Sequence, residues 1–364
     1  MQLSGYHIPR CSFLEARIST PQYWVIDAID ECSKYQELFT LIKGSQLSFP
    51  LRIFITSRKI PELQRIHRSL EASVSITCIE VSVEDSTSDI DCYIQERVKN
   101  LANDLVGGQK DIAETLLRRS NTCFLWVRLV LDELEKVYTT ESITQILQSI
   151  PEGMVPYYER TVRAMAENTL EKHVARTVLV WVVASSRNLY IPELSNALKL
   201  DINTVLPSAK SAVEGLCGQL IFVDHQSGMI SLVHTTVREF LLSESAGEFY
   251  ISKPRANERI ALTCLKLLSN GEMKPSRSPR MLSQARKNHE LSPLMNYAIT
   301  QFSEHVYSAS AETDEILLAL DHFLKTNVLS WIERVAQMGD LYPLIRVSKN
   351  LRAIWTEEPS TYHH

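Results

Sequence analysis

The 364-residue sequence has few glycines and no paired cysteines. Its 11 glycines leave little scope for tight turns, which favours a mainly helical chain. The seven cysteines are odd in number and none lies in a C-x-x-C pair, which argues against a disulfide framework and against a zinc ribbon. We expect them to be small buried apolar residues in a reducing compartment, and we predict a cytoplasmic protein.

Long apolar segments and an excess of positive charge are also missing. No stretch approaches the ~18 apolar residues that a membrane span requires, so we predict no span. The formal net charge of -5 provides no chain-wide basic surface for nucleic acid. Apolar residues make up 45% of the chain, which is enough to build cores and excludes disorder as its main state. The length predicts more than one domain.

Short apolar segments alternate with helical segments in the first third of the chain. Strands are predicted at 22–27, 51–56 and 76–82, where aromatic and β-branched residues are frequent. Residues 33–43 and 61–70 have apolar side chains three and four positions apart, as helices do. Strands separated by helices indicate a parallel sheet, and strands apolar on both sides indicate that both faces are covered.

Helical periodicity dominates after residue 83. Ser88 is the predicted N-cap of the first of these helices, because Asp91 follows three residues later. Helices then continue to residue 138, and they resume after a break that Pro151 and Pro156 mark.

A different order of elements begins near residue 190. Short helices between 191 and 215 precede two apolar segments, 219–224 and 229–233, which a turn containing Gly228 joins. A helix over 236–243 follows at once. Short helices followed by a two-stranded hairpin are typical of a winged-helix domain.

The segment 271–288 is the best candidate for a linker. It contains two prolines, three serines and five basic residues. An anion-binding segment is the alternative, but a solvated linker is the simpler interpretation. Four helical stretches follow it, at 291–308, 313–325, 328–338 and 341–355, and successive helix pairs of this kind are typical of an α-solenoid.

The most informative motif is an acidic strand end. The segment Tyr23-Trp-Val-Ile-Asp27 is followed by Asp30 and Glu31. A carboxylate at the carboxyl end of a parallel strand lies where α/β sheets bind ligands, and it can hold Mg²⁺ beside nucleotide phosphates. A second carboxylate can orient or deprotonate an attacking water. An apolar strand that ends in a single aspartate is also explained by a solvated acidic turn. The D-x-x-D-E spacing of Asp27, Asp30 and Glu31 is more specific for a ligand site.

The next predicted strand ends in Thr56-Ser57-Arg58. An arginine at that end can reach a terminal phosphate. A surface arginine after an edge strand is the alternative, and the position directly after an acidic strand favours the phosphate contact.

Together these two motifs resemble the Walker-B and sensor strands of NACHT-type signalling ATPases. The resemblance is closest to the large fungal, nephrocystin-like group that includes vegetative-incompatibility proteins. Further similarities extend it to about residue 331, of which the histidine motif at 233–242 is specific and the helical ones are weaker. They are carried by Asp89-Ile90 with Tyr93-Ile94, Cys123-Phe-Leu-Trp126, Tyr190-Ile-Pro-Glu-Leu194, residues 233–242 (VHTTVREFLL), and Asn296-Tyr297-Ala298 with His305. The segments at 190–194 and 233–242 resemble the winged helix that is also described as GPI inositol-deacylase-like.

This resemblance implies an α/β plus mainly α fold with four parts. They are a partial P-loop NTPase parallel sheet in 1–84, a helical domain in 85–186, a winged helix in 187–245, and a C-terminal helical region in 246–364. It further implies ATP or ADP with Mg²⁺ as cofactors, together with protein partners and a homo-oligomer formed through the nucleotide-binding region.

The resemblance also assigns roles to five residues. It implies that Asp27 holds the metal, that Asp30 and Glu31 are catalytic, and that Arg58 and His234 bind the nucleotide. In such ATPases a winged-helix histidine contacts the β-phosphate of ADP and locks the inactive form. From chemistry alone, a histidine that caps the helix beginning near Thr235 is the alternative.

One departure from the family pattern is large. The phosphate-binding loop G-x-x-x-x-G-K-[ST] does not occur in the sequence, and only 26 residues precede Asp27. That loop supplies backbone N–H groups and a lysine for the phosphates. We therefore expect a truncated or degenerate member that lacks the central strand. The strand at 76–82 should then pair with 51–56 or leave an open edge there, where the amides of Phe54 and Thr56 should exchange quickly.

Two other functions stay open. One is a non-catalytic helical interaction scaffold that no longer binds nucleotide. The other, a winged-helix DNA binder, is disfavoured by the net charge and by acidic residues around the wing, namely Asp224, Glu239 and Glu244. Nucleotide binding by the purified chain separates the switch from the scaffold.

Overall fold

The computed structural model describes residues 20–32, 35–44, 49–58, 60–71, 74–101, 108–273, 291–309 and 314–356. The chain divides into two compact units, the first ending at Ser86 and the second beginning at Thr87. The first contains a small parallel sheet with helices, and the second contains helices with a small antiparallel sheet. The fold is therefore α/β plus mainly α, as predicted.

Two parallel strands, β1 (Gln22–Ile26) and β2 (Leu51–Ile55), form the sheet of the first unit. A single 3-10 turn (Ile29–Glu31) and helix α1 (Tyr35–Gly44) connect them, and α2 (Pro61–Glu71) follows β2. A helical crossover between neighbouring parallel strands is the usual connection. The predicted parallel pairing is confirmed.

One face of this sheet is largely exposed. Tyr23, Val25 and Phe54 are 68%, 76% and 63% exposed. The alternate side chains Trp24 and Ile53 are half-buried. The prediction that both faces are covered is therefore wrong for the residues that the structure describes.

Residues 76–82 do not form the predicted third strand. They lack regular secondary structure, and Ile79 and Val81 are 84% and 75% exposed. A strand needs a neighbour to complete its hydrogen-bond ladder, and the sheet of the first unit comprises two strands among the described residues. Cys78 lies in this segment and is exposed, as is Cys92. The expectation of burial is therefore wrong for these two cysteines, whereas Cys217 and Cys264 are buried as expected.

Helix α3 (Val83–Leu101) begins before the predicted cap at Ser88. The Ser82 hydroxyl accepts a hydrogen bond from the Asp85 N–H at 3.0 Å and donates to Asp85 Oδ2 at 2.9 Å. The S-x-x-D pattern occurs at Ser82, Ser86 and Ser88, and the helix begins directly after the first of them.

Between residues 108 and 186, which the structure describes throughout, the second unit contains five helices before the winged helix. They are α4 (Gly108–Arg119), α5 (Phe124–Leu134), α6 (Thr140–Ser149), α7 (Met154–Glu167) and α8 (Lys172–Ala184). Trp126, Tyr157, Tyr158 and Trp181 fill the core between them and are almost completely buried. The predicted break separates α6 from α7, where Gly153 has a φ of 81° that favours glycine.

A winged helix follows α8. Its elements are β3 (Leu189–Tyr190), α9 (Ile191–Ile202), α10 (Ala209–Cys217), β4 (Ile221–Val223), β5 (Met229–Leu232) and α11 (Thr235–Leu241). The three strands are antiparallel in the order β3-β5-β4, so the predicted hairpin is confirmed and β3 is an addition to it.

Five helices lie in the described residues of the C-terminal part. They are α12 (Lys253–Leu268), α13 (Met295–Ser308), α14 (Asp314–Thr326), α15 (Val328–Gln337) and α16 (Tyr342–Thr356). The predicted linker lies mostly outside the described residues, and the four helices predicted after it are confirmed. Within the described part of the chain, no helix is both long enough and apolar enough to cross a membrane.

Candidate functional site at the strand ends

The carboxyl ends of β1 and β2 bring predicted site residues together. Because the two strands are parallel and paired residue by residue, Asp27 and Thr56 follow them at adjacent positions. The Thr56 hydroxyl donates a hydrogen bond to Asp27 Oδ1 and accepts one from the Ala28 N–H at 2.9 Å. The Thr56 backbone N–H donates to the Ile26 carbonyl at 3.0 Å. Thr56 was not predicted as a site residue, yet it orients the Asp27 carboxylate.

Ala28 turns the chain sharply after Asp27. Its φ of 49° and ψ of 54° lie in the left-handed region, which costs a non-glycine residue about 1–2 kcal/mol. The Ile29 N–H then donates to the Thr56 carbonyl at 3.0 Å, and the Ile29 side chain is 3% exposed. This anchored turn carries Asp30 back toward the end of β2. Backbone strain of this kind is concentrated at functional sites.

Asp30 pairs with Arg58. Its Oδ1 accepts the Arg58 backbone N–H at 3.0 Å, and its Oδ2 accepts Nε of the guanidinium at 2.6 Å. The Asp30 side chain is 2% exposed, whereas that of Arg58 is 49% exposed. Burial raises the pKa of Asp30, but the hydrogen bonds from Arg58 and its charge outweigh burial, so the pKa lies below its ordinary value. An ionised carboxylate held in this way is a weak proton acceptor.

The other two predicted residues are placed differently. The Glu31 backbone belongs to the 3-10 turn, but its side chain lies outside the described residues.

His234 belongs to the second unit and caps α11: its Nδ1 accepts the Thr236 N–H at 3.2 Å. The Thr236 hydroxyl lies 2.9 Å from that of Tyr158. His234 therefore has the helix-capping role that was the alternative to nucleotide binding. Because Nδ1 accepts, the proton of the neutral imidazole is on Nε2, and this exposed side chain can still donate to an anion.

The donor set at the strand ends fits a Mg²⁺ ion that is shared with phosphate oxygens. Asp27 is an exposed carboxylate, and in the part of the chain that is described no group of three or more His, Cys, Asp or Glu side chains is arranged to hold a metal. Mg²⁺ commonly takes one or two carboxylates, several waters and substrate phosphates. When bound, the ion would neutralise phosphate charge.

Comparison with known protein families gives two matches. Residues 9–58 match the family described as Nephrocystin 3, N-terminal, and residues 162–252 match GPI inositol-deacylase, winged helix domain. The two matches fit a NACHT-like architecture. The first ends at Arg58 and therefore contains β1, β2 and the cluster at their ends. The second contains α8 to α11 and His234. Comparisons with curated proteins and with solved structures gave no match.

Proposed function

We propose that the chain is a partial or divergent NACHT-type signalling ATPase, an NLR-like nucleotide-dependent switch in self/non-self recognition or immunity. One observation carries the proposal: Asp27 and the Asp30–Arg58 pair lie at the carboxyl ends of neighbouring parallel strands, in a segment that matches the nephrocystin family. Ligands bind at this edge of open α/β sheets.

The proposed roles follow from the chemistry of each group. Asp27, oriented by Thr56, would contact Mg²⁺, and the half-exposed guanidinium of Arg58 would contact a terminal phosphate. The resemblance adds His234 as a donor to the β-phosphate of ADP. In this proposal, exchange of ADP for ATP changes the association of the chain with protein partners or with further copies of itself.

The test uses Mn²⁺, a paramagnetic substitute for Mg²⁺, in NMR spectra of the whole chain with ADP and with ATP. We expect line broadening for the amides of Asp27 and Thr56 only when nucleotide is present. Asp27→Asn should abolish the broadening. Glu62→Gln, which changes an exposed acid in the first turn of α2, should leave it unchanged.

A non-catalytic interaction scaffold is the second candidate. The lack of a G-x-x-x-x-G-K-[ST] motif in the 364 residues favours it, because that loop supplies most phosphate contacts in P-loop proteins. If neither nucleotide produces broadening at Asp27 and Thr56, the switch proposal is wrong and the scaffold becomes the better explanation.

A further inference from the structure

We propose that Asp30 is a positioning residue, which holds Arg58 in place for a phosphate of the bound nucleotide. This inference rests on the proposed function, and it gives Asp30 a different task from the catalytic one implied by the resemblance.

The first argument is the two-point contact between these residues. One carboxylate oxygen of Asp30 binds the Arg58 backbone N–H and the other binds Nε, so a single side chain fixes both the backbone and the guanidinium of its partner. Holding a long arginine side chain before binding removes part of the entropy cost of ordering it around an anion.

The difference in exposure is the second argument. The Asp30 side chain is almost completely buried, at 2% exposure, whereas Arg58 is half-exposed at 49%. A general acid or base must reach the reacting group directly or through one water. A buried carboxylate whose two oxygens are already engaged by Arg58 is poorly suited to that task. The same carboxylate is well suited to support an arginine that faces solvent.

The third argument is the rigidity of the turn that carries Asp30. Left-handed Ala28 is strained, and the neighbouring Ile29 is fixed by its buried side chain and by its hydrogen bond to Thr56. The position of Asp30 relative to the end of β2 is therefore set by the backbone. Functional groups are most effective when such supporting contacts hold them.

The experiment measures ATP and ADP binding to the whole chain with Mg²⁺, and also the NMR signal of the Arg58 Nε–H group. The variants are Asp30→Asn, Arg58→Ala and the double variant, with Arg52→Ala on the same strand as the matched control. We expect Asp30→Asn and Arg58→Ala each to weaken ATP binding about tenfold, the double variant to be no weaker, and Arg52→Ala to have no effect. In the nucleotide-free chain, Asp30→Asn should shift the Nε–H signal and accelerate its exchange.

The possible outcomes separate the two proposals. ATP binding that falls in Arg58→Ala but is unchanged in Asp30→Asn would overturn the positioning role and leave the proposed function intact. Additive losses in the double variant would also overturn it, because they would show that Asp30 acts independently of Arg58. Failure of the unmodified chain to bind either nucleotide would overturn the proposed function itself. Unchanged amide signals of Val25 and Phe54 in Asp30→Asn would confirm that the sheet is still folded.

Discussion

The hydroxyl of Tyr297 lies 2.7 Å from Nε2 of His305, and both side chains are completely buried on α13. On the other side of the ring, Nδ1 lies 2.7 Å from Oδ1 of Asn257 on α12. The Asn257 amide nitrogen donates to the Lys253 carbonyl, so Oδ1 is the acceptor and His305 Nδ1 carries the proton. Nε2 then accepts from Tyr297, whose oxygen accepts the Ser186 N–H at 3.0 Å.

Asn257, His305, Tyr297 and Ser186 thus form one hydrogen-bonded relay. The relay gives a structural role to Tyr297 and His305, which carry part of the family resemblance. Each described member has a partner with the correct donor or acceptor character, and the chain of bonds joins α12 and α13 to the segment before β3. Buried polar networks that are fully satisfied stabilise one arrangement of the elements they connect.

The first prediction concerns the effect of pH on the second unit. Burial lowers the pKa of His305 from 6.5 to about 4. Between pH 6.5 and about pH 4, His305 therefore binds a proton in the unfolded chain but not in the folded chain. The free energy of unfolding consequently decreases as the pH falls through this range. From pH 7.5 to 5 this group alone should remove about 2 kcal/mol of the free energy of unfolding.

Urea unfolding followed by tryptophan fluorescence checks this prediction. The neighbouring Tyr297 stays neutral in this range because burial raises its pKa, and Arg187, stacked on its ring, stays charged. His305→Asn should show a correspondingly smaller loss between the two pH values. An equal loss in both proteins would exclude His305 as its source.

Tyr297→Phe should destabilise the second unit by about 1–3 kcal/mol at pH 7.5, since it removes the hydroxyl that donates to the buried Nε2 of His305 and that accepts the Ser186 N–H. Tyr307→Phe is the matched control, because Tyr307 lies on the same helix and is 48% exposed. Its effect should stay within about 0.5 kcal/mol. Equal effects of the two substitutions on the urea midpoint would contradict the relay.

Phe240→Ala should destabilise the winged helix by about 3–5 kcal/mol. Phe240 is 3% exposed, and its ring lies 5.4 Å from that of Tyr158 on α7. Val237 and Leu241 of the same helix are fully buried. Phe222→Ala, at a 46% exposed position on β4, is the control. Chemical denaturation of both variants measures the difference, and a value near zero for Phe240→Ala would show that α11 is not docked.

The isolated chain should have no measurable ATPase activity. Positioning and electrostatic stabilisation supply nearly all of the catalysis in phosphoryl transfer, and the sequence contains no phosphate-loop motif. Phosphate release by the purified chain should therefore equal that of a variant with Asp27→Ala and Glu31→Ala combined. Release that exceeds this control would contradict the prediction.

Local patterns predicted most elements, but contacts between distant residues decided the rest. The helices and the parallel pairing of β1 with β2 follow from periodicity and connection rules. Residues 76–82 have the composition of a strand, yet a strand also requires a neighbour, which composition does not reveal. The role of Thr56 depends on strand register, and the pairing of Asp30 with Arg58 depends on the left-handed turn at Ala28. In the sequence, Thr56 is marked as a site residue only by its hydroxyl at the end of the strand that follows the acidic one.

Strand register also corrects the expected pattern of hydrogen exchange at β2. The amides of Phe54 and Thr56 were expected to exchange quickly, but the Thr56 N–H donates to the Ile26 carbonyl at 3.0 Å. Alternate N–H groups of a strand face the same neighbour, so the amide of Phe54 also faces β1, and those of Ile53 and Ile55 face the opposite edge.

Among the described residues that edge has no paired strand. We therefore expect the amides of Ile53 and Ile55 to exchange faster than those of Phe54 and Thr56 in residue-resolved NMR exchange. If another segment or a partner pairs with this edge, all four amides should be protected alike, and the two-stranded arrangement would then be incomplete.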